Sequence, residues 1–96
     1  MAIRSFADKA TERFFITGRV ALGVRWAPVR GVAKRKLDML HYAFKLSDLR
    51  SPPGNRLEAL RGNLRGSYSV RINDQWRVVF EWTPDGPSRV RVADYH

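Results

Sequence analysis

The 96-residue chain has no cysteine, so neither a disulfide nor a thiolate-bound metal can brace it, and a cytoplasmic location is the expectation. No apolar run approaches the roughly 18 residues of a membrane span, which excludes a helical membrane anchor within this sequence. Met1–Asp8 reaches charge without an apolar h-region, so no secretory leader is expected there. Histidine is scarce: only His41 and His96 are present, far apart, and without cysteine they make a poor zinc site. No metal and no cofactor are expected.

Acidic residues are also few, 9 against 18 Lys and Arg, for a formal net charge of +9. A small basic protein can simply be staying soluble, but an excess of this size points to a polyanionic partner. Residues 1–50 hold 11 basic and 4 acidic side chains, and residues 51–96 hold 7 and 5. All seven basic residues of the second half are arginine, the side chain suited to planar, bidentate contact with phosphate oxygens. A chain of this length forms one domain, 1–96, with a small core.

Ala2–Arg4 reads as a short strand, after which Ser5 can cap a helix with Asp8 at its third position. Phe6, Ala10 and Phe14 recur at four-residue spacing, predicting a helix over 6–17 that Gly18 ends. Arg19–Ala27 alternates like a strand between breakers and can equally be a connector packed on that helix. Pro28 suits the first turn of a second helix, and Ala33, Leu37, Leu40 and Phe44 give it an apolar face with Lys34, Arg35, Lys36 and Asp38 on or near the opposite side. His41 has apolar neighbours there and is expected to be structural. Residues 46–55, with Ser51-Pro52-Pro53-Gly54, are a loop.

From Arg56 the period changes to two. Leu57, Ala59 and Leu60 introduce a short strand, and Arg61–Gly66 is a turn carrying two arginines. Tyr68, Val70 and Ile72 then alternate with Ser67, Ser69 and Arg71, and Trp76, Val78, Phe80 and Trp82 with Gln75, Arg77, Val79 and Glu81; the rings of Trp76 and Trp82 are expected in the core. After a turn over 83–87, a last strand carries Val90 and Val92 to Asp94. The predicted class is α+β, two N-terminal helices packed on a small antiparallel sheet.

Opposed residues of an antiparallel pair share a face, so the two apolar sets must pair through a turn at Asn73-Asp74-Gln75. This puts Arg71 opposite Arg77, on the face away from the apolar set. Like charges there cost about 0.2–1 kcal/mol, so a carboxylate or a bound phosphate should offset them. Closing the next hairpin over 83–87 puts Arg77 opposite Ala93 and Tyr95 on the same face, with Asp94 and His96 at the other parity.

RNA can be cut by its own 2′-OH if a base takes that proton, an acid protonates the leaving 5′ oxygen, and cations stabilise the developing charge. His96 can be base or acid; Arg61, Arg71 and Arg77 can hold phosphate; Tyr95 can stack on a base or donate a proton; Asp94 can orient His96. Arg65 and Glu58 complete the candidate RNA-facing set. Each has a plainer role: a terminal histidine is ordinarily frayed, and strand arginines are ordinarily solvated.

Arg56-Leu-Glu-Ala-Leu-Arg-Gly62, Gly66-Ser-Tyr-Ser-Val-Arg-Ile-Asn-Asp-Gln-Trp-Arg77 and Asp94-Tyr95-His96, with the opening Ile3-Arg-Ser-Phe6, resemble the HigB branch of the RelE/ParE toxin superfamily. The resemblance implies a RelE/ParE-like α+β fold and a type II toxin that cuts mRNA in the ribosomal A site without a metal. It also implies a HigA-like helix-turn-helix antitoxin as partner, with operator DNA reached only through the antitoxin. By position, Arg61 and Arg77 match phosphate-contacting residues, and Asp94, Tyr95 and His96 match the C-terminal active-site residues. Some HigB toxins have histidine in a Leu-His-Pro-Leu-Lys-Gly setting where this chain has Glu58, and a carboxylate is a poorer proton acceptor than imidazole. A ParE-like inhibitor of a protein target such as gyrase, or a non-catalytic RNA-binding module, is the competing reading.

Overall fold

In the computed structural model, which describes residues 2–94, the first helix is started by Asp8 and not by Ser5. The Asp8 carboxylate accepts the Thr11 N–H at 2.7 Å, and helix α1 runs Lys9–Thr17, three residues shorter at its start than predicted. Ser5–Ala7 cannot turn helical because its backbone is already committed to the last strand. Ala7 N–H donates to Val90 O at 2.9 Å, Val90 N–H donates to Ser5 O at 3.1 Å, and Phe6 bridges Val90 in parallel. The extended run is therefore displaced from Ala2–Arg4, where no strand forms, to the residues that follow.

Gly18 ends α1 as expected, at φ +76° with its N–H on Phe14 O. The segment after it is a connector, and its Trp26 places its ring edge-on to Phe14 with centroids 5.2 Å apart. Pro28 lies in a 3-10 turn, Ala27–Val29, that feeds helix α2, Arg30–Tyr42. Ala33, Leu37 and Leu40 are fully buried. Phe44 is not part of that face: Ala43 leaves the helix with ψ 138°, and Phe44 swings out to 81% exposure. His41 is structural, accepting the Ile3 N–H at Nδ1 (3.3 Å) and packing on Phe15.

Lys36 also departs from the predicted solvated face. It is buried, and its ammonium donates to Asn55 Oδ1. Burial, then the positive charges of Arg35 and Arg71, hold its pKa below the ordinary lysine value. Asn55, itself fully buried, donates through Nδ2 to Leu49 O (3.1 Å) and Ser51 O (3.3 Å). The loop over 46–55 is thus an ordered strap of two 3-10 turns, Leu46–Arg50 and Pro53–Asn55, tied to α2 through one side chain. Asn55→Ala leaves an ammonium and two carbonyls short of partners, and urea unfolding should show a loss of about 2–4 kcal/mol. A loss below about 0.5 kcal/mol, the range of ordinary surface changes, would mean that Asn55 does not hold the strap.

The sheet has the order β1 (Glu58–Ala59), β2 (Ser67–Arg71), β3 (Trp76–Thr83), β4 (Gly86–Asp94), each pair antiparallel. β4 begins earlier than predicted because the hairpin needs only Pro84 and Asp85. Thr83 Oγ1 accepts the Asp85 N–H and donates to Gly86 O, closing the turn. Val70, Val78, Phe80 and Val92 form one core with Phe14, Trp26, Leu37 and Leu40, so both helices cover one face of the sheet. Trp76 is in that core and Trp82 packs against it. This is the two-helix α+β arrangement predicted. The opposite face carries Ser69, Arg71, Arg77, Val79 and Arg91 by register.

Candidate functional site

The predicted registers hold: Arg71 faces Arg77, and Arg77 faces Ala93. The Asn73 carboxamide shapes the turn that sets them, its Oδ1 accepting the N–H groups of Gln75 (2.9 Å) and Trp76 (2.7 Å). The two guanidinium groups are kept apart by different partners. Arg71 pairs with Asp74, which draws it toward the hairpin tip. Arg77 turns toward β1.

Arg77 is not a solvated strand arginine, as the alternation suggests; it is 6% exposed. Its Nε donates to Ser69 Oγ at 2.7 Å and its Nη2 to Arg56 O at 2.6 Å. Arg56 has φ +44°, a left-handed conformation at the end of the strap, and this turns its carbonyl toward the sheet. With those N–H groups fixed, Nη1 lies 3.8 Å from Glu58 Oε1. A desolvated, geometrically fixed guanidinium therefore stands beside a carboxylate that is 47% exposed. The expected offset to the Arg71–Arg77 opposition is thus made by carboxylates, a carbonyl and a hydroxyl.

Glu58, Ala59, Leu60 and Arg61 line an open groove of about 640 Å³ along β1. Arg61 is exposed, and Gly62–Leu64 forms a 3-10 turn directly after it. Glu58, Arg61 and Arg77 are thus held on or beside one short strand. Arg65 lies beyond that turn, lining a separate cavity with Arg89 and Arg91. Asp94 faces Trp76 at the other parity and is held by Gln75 Nε2 at 3.0 Å and Arg25 Nη2 at 3.5 Å, while Arg25 itself lies over the Trp76 ring. The structure does not bring Asp94 to the Glu58–Arg77 pair. Tyr95 and His96 lie outside the described residues. Among the described residues, no three His, Asp or Glu side chains converge as a metal would need.

Arg89 and Arg91 were not among the predicted site residues. The signal for Arg91 was available, because the register that puts Ala93 opposite Arg77 puts Arg91 opposite Val79, on the same face. Arg89 follows from no alternation rule, since a bulge intervenes between Val79 and Glu81.

In overall fold the chain is similar to a YoeB/ParE toxin from Agrobacterium tumefaciens, with TM-score 0.51 over 98% of this chain and 94% of that one at 18% identity, so the fold is of the RelE/ParE toxin class. Residues 4–96 match the family model described as the RelE-like toxin of type II toxin-antitoxin system HigB. The sequence is 40% identical over 91 residues to Toxin HigB-1 of Vibrio cholerae serotype O1, covering 95% of this chain and 94% of that protein. It is also 43% identical over 51 residues to an uncharacterized protein of Haemophilus influenzae, about half of each chain. The chain belongs to the HigB-like toxins of type II toxin–antitoxin systems, and membership implies an antitoxin partner. No described helix is long and apolar enough to cross a membrane.

Proposed function

We propose that this toxin is an endoribonuclease that cuts translated mRNA in the ribosomal A site through the RNA's own 2′-OH, without a metal. The observation that carries the reading is the fixed Glu58–Arg77 pair beside the Arg61 groove. Glu58 accepts the 2′-OH proton, Arg77 and Arg61 stabilise the charge that develops on the phosphoryl oxygens, and His96 protonates the leaving 5′ oxygen. Tyr95 stacks on the base next to the cut. Asp94 acts indirectly: its bonds to Gln75 and Arg25 fix the end of β4 from which Tyr95 and His96 continue. Arg71, paired with Asp74, contributes to the positive field and not to the reacting phosphate.

The ribosome presents the messenger strand to the groove in an ordered, accessible form. A HigA-like helix-turn-helix antitoxin neutralises the toxin and carries it to operator DNA, which the toxin does not contact by itself. Co-purification with the product of an adjacent gene tests that partner.

Primer extension on mRNA from cells producing the toxin should reveal cuts within translated codons. His96→Ala should lower single-turnover cleavage on programmed ribosomes by about 10²–10⁴, the usual worth of a proton-transfer group, and Tyr95→Ala by about 5–150-fold, the roughly 1–3 kcal/mol of a base stacked on an aromatic ring. Undiminished growth inhibition by both variants, with no cuts, would sink the reading in favour of a non-nuclease toxin acting on a protein target.

A further inference from the structure

β4 carries a departure from regular pairing that the Glu58–Arg77 pair does not use. Val79 pairs with Arg91 and Glu81 with Ser88, so Arg89 and Val90 together oppose Phe80 alone. Val90 fills the core, and Arg89 is the inserted residue, at φ +52°. That left-handed position is the one glycine ordinarily takes in a bulge of this kind, and a long side chain there is strained. The bulge is fastened from outside, Arg89 N–H donating to Ser5 Oγ at 2.9 Å and Val90 N–H to Ser5 O. A strained conformation, held by other contacts, sets a guanidinium on the open face of the sheet.

There it meets two others. Arg65, Arg89 and Arg91 line a cavity of about 360 Å³ whose floor includes Ser67 and Val79. The one carboxylate in the lining is Glu81, 3.2 Å from Arg89 Nε. Three guanidinium groups against one carboxylate leave the cavity strongly positive. Among the described residues, neither Arg65 nor Arg91 forms an ion pair. The Gly62–Leu64 turn closes the cavity on the β1 side.

Its place in the register indicates what it would hold. The Arg77 guanidinium folds onto Ser69, and Ser69 lies opposite Val79, so the fork and the cavity floor are about one strand spacing, ~5 Å, apart across the sheet. That separation lies within one backbone step of a single-stranded nucleic acid. A strand whose reacting phosphate lies at Arg77 and Arg61 would bring a neighbouring phosphate over Val79, between Arg65 and Arg91. An extended acidic protein segment would meet the same charges, and its side chains repeat at a similar two-residue spacing; RNA is preferred because the cavity opens on the sheet face that also carries Arg77, where the nuclease reading puts the substrate.

We propose that the Arg65–Arg89–Arg91 cavity is a second phosphate subsite for single-stranded RNA, one nucleotide from the cut, with Arg65 and Arg91 as its ligands and Arg89 as the residue kept at a cost in stability. The subsite deepens the nuclease reading and rests on it for its register with the cut. Messenger RNA is the strand expected, and ribosomal RNA offers the same phosphodiester.

Purified toxin and its Arg65→Gln, Arg91→Gln and Arg89→Gly variants are titrated with a short single-stranded RNA over a salt series, and separately with empty and mRNA-programmed ribosomes. Each Gln variant should flatten the salt dependence by roughly 0.7 in log Kd per log salt, the share of one phosphate contact on a single strand. Arg89→Gly should weaken RNA binding while its thermal midpoint stays equal or rises, two changes that a merely structural arginine could not produce together. Cleavage by the Gln variants should show a raised KM with kcat little changed. Losses seen equally with empty ribosomes and not with the oligonucleotide place ribosomal RNA in the subsite.

Unchanged salt slopes and KM in both Gln variants overturn the subsite, and if the parent protein still cuts mRNA the nuclease reading survives. Salt slopes that respond as expected in a protein that never cuts RNA support the phosphate site and overturn the nuclease reading alone. Variants that lose affinity only for the antitoxin, with RNA binding intact, assign the cavity to an acidic protein segment instead.

Discussion

Arg77→Met should slow cleavage by about 10²–10³ while leaving most of the protein folded. The methionine chain fills similar space but donates nothing, so Ser69 Oγ and Arg56 O lose their partners in a buried setting. Leaving those acceptors unpaired costs about 2–4 kcal/mol. A domain of this size is ordinarily stable by about 5–15 kcal/mol, so that cost is expected to leave a folded majority near 25 °C. The activity should fall much further, because removing one preorganised donor from a developing anion costs about 10²–10³ in rate. Arg77→Lys separates the two effects. A lysine keeps the charge but cannot hold Ser69, Arg56 and a phosphate at once, so stability should recover in part and cleavage should not. Urea unfolding and single-turnover cleavage on programmed ribosomes, run on the same preparations, give both numbers. If Arg77→Lys cuts RNA at the parent rate, the fixed fork at Arg77 is irrelevant to the chemistry and only its charge matters.

The difference between a surface arginine and this one was beyond the reach of alternation alone. Period-two patterning identified β2 and β3, and the need to pair their apolar sets fixed the Arg71–Arg77 and Arg77–Ala93 registers, which the structure reproduces. Such local rules state which face a residue takes, not what covers that face. Arg77 is buried because the strap over 46–55 brings the Arg56 carbonyl back onto the sheet, and the strap is held by Lys36 and Asn55, distant in sequence from Arg77. The same limit explains Lys36, whose helical position predicts a solvated ammonium and whose long-range partner buries it. It explains Ser5 as well: a local capping pattern there is overridden by hydrogen bonds to a strand at the far end of the chain. The candidate site was legible as residue types, Glu58, Arg61 and Arg77, and as a register; its geometry depends on contacts that no window of sequence contains. Arg89 is the extreme case, since its position depends on a bulge that ordinarily selects glycine.

Glu58→Gln should be nearly silent in stability and severe in function. Its carboxylate is half exposed and 3.8 Å from Arg77 Nη1, a separation at which an accessible pair contributes at most about 1 kcal/mol. Glutamine keeps the shape and the acceptor oxygen facing Arg77 but cannot take a proton, so a rate loss of about 10²–10⁴ with an unchanged unfolding midpoint would mark Glu58 as the base. Glu58→His then asks whether the imidazole setting of other HigB toxins can replace it. Imidazole ordinarily titrates near 6.5 and carboxylates lower, so the acid limb of the pH–rate profile should move up in the histidine variant. The opposite pattern is equally readable: full activity in Glu58→Gln would leave His96 as both acid and base, and Glu58 would then serve only to aim the Arg77 fork. Because Arg77 is already held by Ser69 and Arg56 without help from the carboxylate, that second role is the weaker one on structural grounds, and the rate loss is the result to expect.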